Sequence, residues 1–216
     1  MPVTEFALLH LTTPSPLAIS TLRAALGVQN QWHAKQYPHL PASYPGSICL
    51  QSLDDPTEIL ITARWESVAA HWAWINGPDN AAVMGSLGPF MSQESNEGDF
   101  SLLHVEGDLF EEGRGAALLE SPVVGVHRVL VKGQRNEEEV SRLRGVFENP
   151  TGMVRAGWRE DVEDGGKQEY VIVCGWQHEE LGKGVDHAAS AYIAMGGHPM
   201  GPDTTELKSK FYKRLL

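Results

Sequence analysis

Nine histidines are the largest supply of groups titrating near neutral pH in this chain of 216 residues. His33 follows Ile19, Leu22, Leu26 and Gln29 at helical steps of three and four, with Gln36 one step further on. A helix laid on a sheet points such a stripe at the sheet. His33 then reads as an acid/base or hydrogen-bonding group beside a bound molecule, with Gln29 one turn earlier. The other reading of the stripe is a helix end turning out into solvent. His10 and His104 fall on strand-like runs, beside Phe6 and Leu8 and beside Phe100 and Leu102 respectively. Two imidazoles converging on one sheet face could bind a carbonyl or exchange a proton; satisfied core histidines would look the same in the sequence. His127 is read as the repeat equivalent of His10. Trp72 and Trp74 make the stretch around them the most aromatic of the chain, either as walls for a flat conjugated ligand or as ordinary packing. Arg64 and Arg128 interrupt apolar strands, where a guanidinium could hold an enolate or carboxylate oxygen or pair with a nearby acid. Tyr37, Tyr44 and Tyr192 are hydroxyl donors suited to a pocket rim.

The elements that must position these groups alternate in a definite order. Glu5–Leu11 reads as a strand, and Ser15 with Pro16 opens a helix running to about Gln36. Ser47–Ser52 and Glu58–Trp65 are the next two strands. Ser67 caps a helix bearing Val68, His71, Trp72 and Ile75, which Gly77 and Pro78 interrupt before a further helical piece at Asn80–Leu87. Phe100–Val105 is the fourth strand. After a bridge at Glu111–Leu119 the order restarts: strand Pro122–Val131, a short helix from Asn136 to about Phe147, a hairpin of Met153–Glu160 and Gln168–Trp176 around Glu163–Gly166, a helix at Val185–Met195, and a last strand at Lys208–Leu215. The pair ILITARW (Ile59–Trp65) and YVIVCGW (Tyr170–Trp176) supports a repeat of about 110 residues.

A β-α-β-β-α-β unit makes an antiparallel sheet with two helices on one face and an apolar face left to cover. The expected fold class is therefore α+β, two ferredoxin-like repeats packed sheet to sheet as a barrel within one chain. The halves are residues 1–110 and 122–216, with 111–121 as linker. The space between each sheet and its own helices is the expected pocket. A chain that closes its own barrel has little reason to dimerise, so monomer and homodimer both stay open.

Composition narrows the partners. Seventeen basic and twenty-eight acidic residues give a net charge of −11, which argues against a phosphate backbone and an anionic membrane surface. No segment approaches the roughly 18 apolar residues of a membrane span. The start, MPVTEFALLHL, lacks a basic n-region, and Cys49 and Cys174 form no disulfide framework or CxxC motif. A reduced, cytoplasmic protein with a small hydrophobic partner is expected. Gly113-Arg-Gly115 and Gly165–Gly166 form no GxGxxG, and no GxxxxGK[ST] or GxSxG occurs. His33 and His39 lie six apart and His187 and His198 eleven apart, with no HExxH. No cofactor or metal is expected, and nothing specifies a haem ligand. Gly196–Gly201 reads as a flexible loop, a lid rather than a phosphate cradle.

The segment ARWESVAAHWAWI (Ala63–Ile75), a strand ending in Trp, then Glu-Ser, then a helical His, resembles the dimeric α+β barrel superfamily. It is more narrowly similar to its antibiotic-biosynthesis-monooxygenase-like and polyketide-pathway members, in a tandem fused form. In the second half Trp176 is followed by Gln177 and His178 instead, a departure from the motif. The resemblance adds His71 to the candidates for catalysis. It implies a range of activities: cofactor-independent oxygenation, cyclisation or isomerisation, aldoxime dehydration, haem degradation, or stress-response proteins. The favoured expectation is a cofactor-independent enzyme of secondary metabolism that cyclises or isomerises a polyketide- or terpenoid-like molecule, in a pericyclic or an acid/base manner. His33, His10, His104 and His71 would do the chemistry, with Gln29, Arg64, Trp72, Trp74 and Tyr37 binding substrate. A cofactor-free monooxygenase and a non-catalytic binding barrel are the alternatives.

Overall fold

The computed structural model describes residues 1–40, 46–92, 102–111, 114–131, 135, 137–151, 153–162, 168–178 and 204–216. The chain divides into two compact units, Met1–Asp108 with Leu215–Leu216, and Leu109–Arg214. The first unit contains β1 (Val3–His10), α1 (Pro16–Gln36), β2 (Ile48–Ser52), β3 (Glu58–Trp65), α2 (Val68–Ile75), α3 (Pro78–Leu87) and β4 (Leu102–Glu106). Its strands are antiparallel in the order β4-β1-β3-β2, which is the ferredoxin-like arrangement.

Local chemistry explains the helices that matter. Ser15 accepts a hydrogen bond from the Ala18 N–H and Pro16 occupies the first turn, so α1 starts where its orphan donors are satisfied. The buried stripe of α1 is Ala18, Leu22, Ala25, Leu26, Gln29 and His33; Gln36 is exposed. Leu22 and its neighbours pack on Ile59, Ile61 and Cys49 of the sheet. Ser67 caps α2 through the Ala70 N–H, and α2 in turn buries His71 and Trp74. Trp65, Trp74, Val3 and Ala63 form a second apolar cluster against which Trp32 packs.

The second unit contains α4 (Arg114–Leu119), β5 (Val123–Val131), α5 (Glu137–Thr151), β6 (Val154–Trp158), β7 (Gln168–Trp176) and β8 (Thr204–Arg214). Its antiparallel order, β8-β5-β7-β6, repeats that of the first unit. The molecule is therefore α+β with two ferredoxin-like repeats. Within segment 111–121, α4 buries Leu118 and Leu119. The expected helix Val185–Met195, the turn Glu163–Gly166, the loop Gly196–Gly201, and His187, Tyr192, His198, Tyr44 and Phe100 lie outside the described residues. No helix among the described residues is long and apolar enough to cross a membrane.

Strand register fixes which residues of the two units correspond. Val3 sits opposite Trp65, and Val123 opposite Trp176, so the two Trp-ending strands are equivalent. Glu5 opposite Ala63 then corresponds to Gly125 opposite Cys174, and Ala7 opposite Ile61 to His127 opposite Ile172. His127 is thus the counterpart of Ala7, and His10 that of Leu130, contrary to the sequence expectation that pairs the two histidines. Both strands are apolar at nearly every position, so the sequences align equally well after a slip of three residues; only hydrogen-bonded register removes that freedom.

Gly125 fits a crowded spot. A Cβ there would stand 2.7 Å from His127 Nε2 and 2.8 Å from Trp176 Nε1, both buried. Gly125→Ala is expected to destabilise the protein by about 1–3 kcal/mol, the cost of overpacking a close-packed core. A lower urea midpoint at unchanged slope would show it; an unchanged midpoint would mean that the two rings yield freely.

Candidate functional site

A cavity of about 270 Å³ lies in the first unit between the sheet and its helices. Its floor comes from β1, β3 and β4 through Glu5, Ala7, Leu9, Ile61 and Leu102. Leu22, Ala25, Leu26 and Gln29 of α1 form one wall, and α2 and α3 supply the rest, including His71, Trp74, Asn80 and Leu87. No lysine or arginine is among the lining residues. Such an interior favours an uncharged apolar molecule.

The chemistry concentrates at Glu5. Its carboxyl is buried and accepts a hydrogen bond from Trp65 Nε1 at 2.6 Å. His71 Nε2 stands 3.5 Å from the same Oε2 atom. The other ring nitrogen of His71, Nδ1, meets His104 Nε2 at 2.7 Å, so one of the two carries the shared proton. Trp65 stacks on His71 with centroids 4.4 Å apart and planes 13° from parallel, which fixes the imidazole orientation. Register explains the grouping: His104 is directly opposite Glu5 on the neighbouring strand, so both project from the same sheet face. The helix α2 lowers His71 onto that face.

Burial raises the Glu5 carboxyl from the ordinary carboxylate range to about 8, with the Trp65 N–H opposing the rise. At neutral pH the group is mostly a carboxylic acid. It can therefore hold a proton, or become a strong base once ionised. The line Glu5–His71–His104 is continuous enough to carry that proton into the sheet interior.

The other expected residues fall in several places. Gln29 and Trp74 line the cavity with His71. The Gln29 Nε2 atom is buried and has no hydrogen-bond partner among the described residues. His33 is buried, but it does not line the cavity: its Nε2 donates to the Arg64 carbonyl oxygen at 2.7 Å. Burial pulls its pKa below the ordinary imidazole value. Tyr37 packs edge-on against His33, 4.5 Å between centroids, and also stays out of the cavity lining. His10 has the opposite strand parity from Glu5, Ala7 and Leu9, so it and His104 project from opposite faces and do not converge. Arg64 likewise points away from the cavity and pairs with Glu66 at 2.8 Å and Asp108 at 3.3 Å. Trp72 is 47% exposed, on the far side of α2 from Trp74. In the second unit His127 bonds Ser209 Oγ at 2.9 Å and packs on Phe147, while Arg128 is engaged by the buried Glu169.

Glu5 and Trp65 are the candidate site residues that sequence reasoning missed. A signal was present. Glu5 shares strand parity with Ala7 and Leu9, so a carboxyl there must face the helices; reading the strand as starting at Glu5 instead of Val3 makes it look like an edge residue.

No family model matches the chain, and no curated protein does. Solved structures do. An anthrone oxidase-like protein superposes with a TM-score of 0.58 at 14% identity, covering 100% of this chain and 92% of its own. A proposed monooxygenase of Fusobacterium nucleatum gives 0.56 at 10% identity, with coverages of 100% and 93%. A haem-binding protein of Thermus thermophilus gives 0.56 at 10% identity, with coverages of 100% and 91%. Likeness at such identities carries the fold and not the reaction. With the repeated strand order, it shows the fold alone, two ferredoxin-like repeats in one chain.

Proposed function

We propose that the first unit is a cofactor-independent acid/base enzyme acting on a compact, uncharged hydrophobic molecule. The observation that carries this reading is the buried carboxyl of Glu5 at the floor of an apolar cavity, 3.5 Å from His71. In the cycle, ionised Glu5 removes a proton from an acidic carbon of the substrate. His71 and His104 accept and release the proton that Glu5 gains or loses. The protonated carboxyl then returns that proton at a second carbon of the same conjugated system, which completes an isomerisation. In a ring closure the carbanion instead forms the new C–C bond to a carbonyl carbon of the same molecule, the carbonyl π pair moves to oxygen, and the carboxyl protonates that oxygen. Positioned acid/base groups of this kind contribute about 10² to 10⁴ in rate. Secondary metabolism is the setting we favour for such a substrate, and a cytoplasmic protein, monomeric or homodimeric, remains the expectation.

A second reading is supported by the fold shared with an anthrone oxidase-like protein and a proposed monooxygenase. Here the same deprotonation yields a carbanion that reacts with dioxygen: a CH₂ group and O₂ become a C=O group and water. Haem does not suit the first-unit site. Both ring nitrogens of His71 face protein partners, and the cavity is below the roughly 300 Å³ at which ordinary ligand pockets begin, too small for a macrocycle. Among the described residues no group of three or more His, Cys, Asp or Glu could hold a metal ion.

The test is to incubate the protein in D₂O with a panel of fused-ring enolisable compounds, following exchange by NMR and oxygen by electrode. Exchange without oxygen uptake supports isomerisation, and coupled uptake supports oxygenation. Glu5→Gln, which keeps the Trp65 hydrogen bond, is expected to lose about 10²-fold or more in rate. Ligand binding with no exchange and no uptake would leave a carrier.

Two pH effects follow from the raised carboxyl. Because the base form is required, the rate should climb as pH rises toward about 8, and Glu5→Gln should flatten that limb. Stability runs the other way. A carboxyl whose folded pKa exceeds its unfolded one stabilises fully below about 4.5 and loses that contribution as pH rises through about 8. Melting temperature should therefore fall between pH 5 and pH 9 by more in the wild type than in Glu5→Gln, which calorimetry would read (both values bracket the titration). Parallel melting curves would mean that Glu5 is ionised throughout.

A further inference from the structure

Ala7 is the smallest side chain on the cavity floor and stands at its centre. Glu5 and Leu9 flank it along β1, while Ile61 of β3 and Leu102 of β4 sit directly opposite it in register, and all four line the same cavity. Neighbours so placed lie about 5 Å away across the strands and about 7 Å away along the strand, and each rises further above the sheet than a methyl group. A depression about one ring wide is left over Ala7. Its surface stays partly exposed although β1 is paired on both sides. The second unit shows the same position filled. His127 corresponds to Ala7 by register, is fully buried, and packs its ring on Phe147 with centroids 4.3 Å apart. The ferredoxin-like sheet therefore accommodates a ring at this point of its helix-covered face; in the first unit that point is cavity.

We infer that Ala7 is the specificity-determining residue of the cavity: the space over it seats one ring of a neutral, fused bicyclic ligand, which a larger residue at position 7 excludes. At about 270 Å³ the cavity lies just under the roughly 300 Å³ at which pockets for drug-sized ligands begin, so its ligand is compact. The apolar lining, without lysine or arginine, favours an uncharged one. The inference deepens the acid/base reading by naming the shape of the molecule, and it rests on that reading only for the part played by Glu5. A ring over Ala7 lies beside Glu5, two residues back on the same strand face, which brings a ring C–H toward the carboxyl. Seating of the ring needs no proton transfer and is measured without it.

The test titrates the full-length protein with 2-naphthol and with phenol, its one-ring counterpart, in the wild type, Ala7→Val and Ala7→Leu. Taking the ratio of effects removes the difference in hydration between the two ligands. Ala7→Leu is expected to weaken 2-naphthol about tenfold or more, the scale on which an apolar pocket senses a methylene-sized change. Phenol should change less than twofold, because a single ring can shift away from position 7, and Ala7→Val should fall between wild type and Ala7→Leu. With the alanine methyls carbon-13 labelled, bound 2-naphthol should show a nuclear Overhauser effect to the Ala7 methyl, a readout that a purely structural role would not give. Neither unliganded variant should melt below the wild type, since the added carbons fill apolar space. Equal losses for both ligands, an unaffected 2-naphthol, no contact to the Ala7 methyl, or no binding of either ligand would overturn the inference. Lower melting temperatures in both variants would overturn it too, by showing that the space over Ala7 is not open. Deuterium exchange separates the two readings. A wild type that shows the methyl contact but exchanges none of the enolisable compounds loses the acid/base reading and keeps the ring seat; exchange without the contact does the reverse.

Discussion

One hydrogen bond organises the first unit: Trp65 Nε1–H to the buried Glu5 carboxyl, 2.6 Å long. A carboxyl in an apolar interior is costly to ionise, and it persists there because its polar atoms are engaged. The bond also fixes the Trp65 ring, which offers its face to His71. His71 in turn reaches His104 on the strand beside Glu5. Three polar side chains are thereby held among apolar neighbours without a metal ligand set among them. Loss of the indole donor would leave Glu5 with weaker cause to stay oriented toward the cavity.

The second unit shows the same scaffold without that bond. Trp176 occupies the place of Trp65, but the residue that corresponds to Glu5 by strand register is Gly125. The Trp176 Nε1 atom is buried with no partner among the described residues, and the His127 ring fills the space a side chain at position 125 would need. The second unit keeps the strand order and the Trp-ending strand but not the carboxyl beside the first cavity. Among the described residues the two units are alike in strand order and differ in the polar group at this position.

The legible part of this protein lay in patterns of period two and 3.6. The matching apolar runs Ile59–Trp65 and Tyr170–Trp176, the Ser15–Pro16 and Ser67 helix starts, and the repeated element order were enough for two ferredoxin-like halves. The site was legible in fragments. His71, His104, Gln29 and Trp74 were visible as residue types in suggestive places, and the structure gathers them around or behind one cavity. His10, Arg64 and Trp72 looked equally good, because a residue list does not say which face of a strand or helix looks inward.

By itself the sequence determined the local preferences: which segments extend, which coil into helices, where caps start them, and a net charge of −11. Only the tertiary structure decided the register of β1 against β3 and β4. That register sets Glu5 opposite His104 and turns His10 to the other face. It depends on pairings between residues about 50 to 100 positions apart, whose energies are sums over whole strands. A one-residue slip leaves the apolar pattern nearly as plausible yet exchanges every side chain between cavity and opposite face. The position of the Glu5 carboxyl is therefore a property of the assembled sheet and not of the strand that carries it.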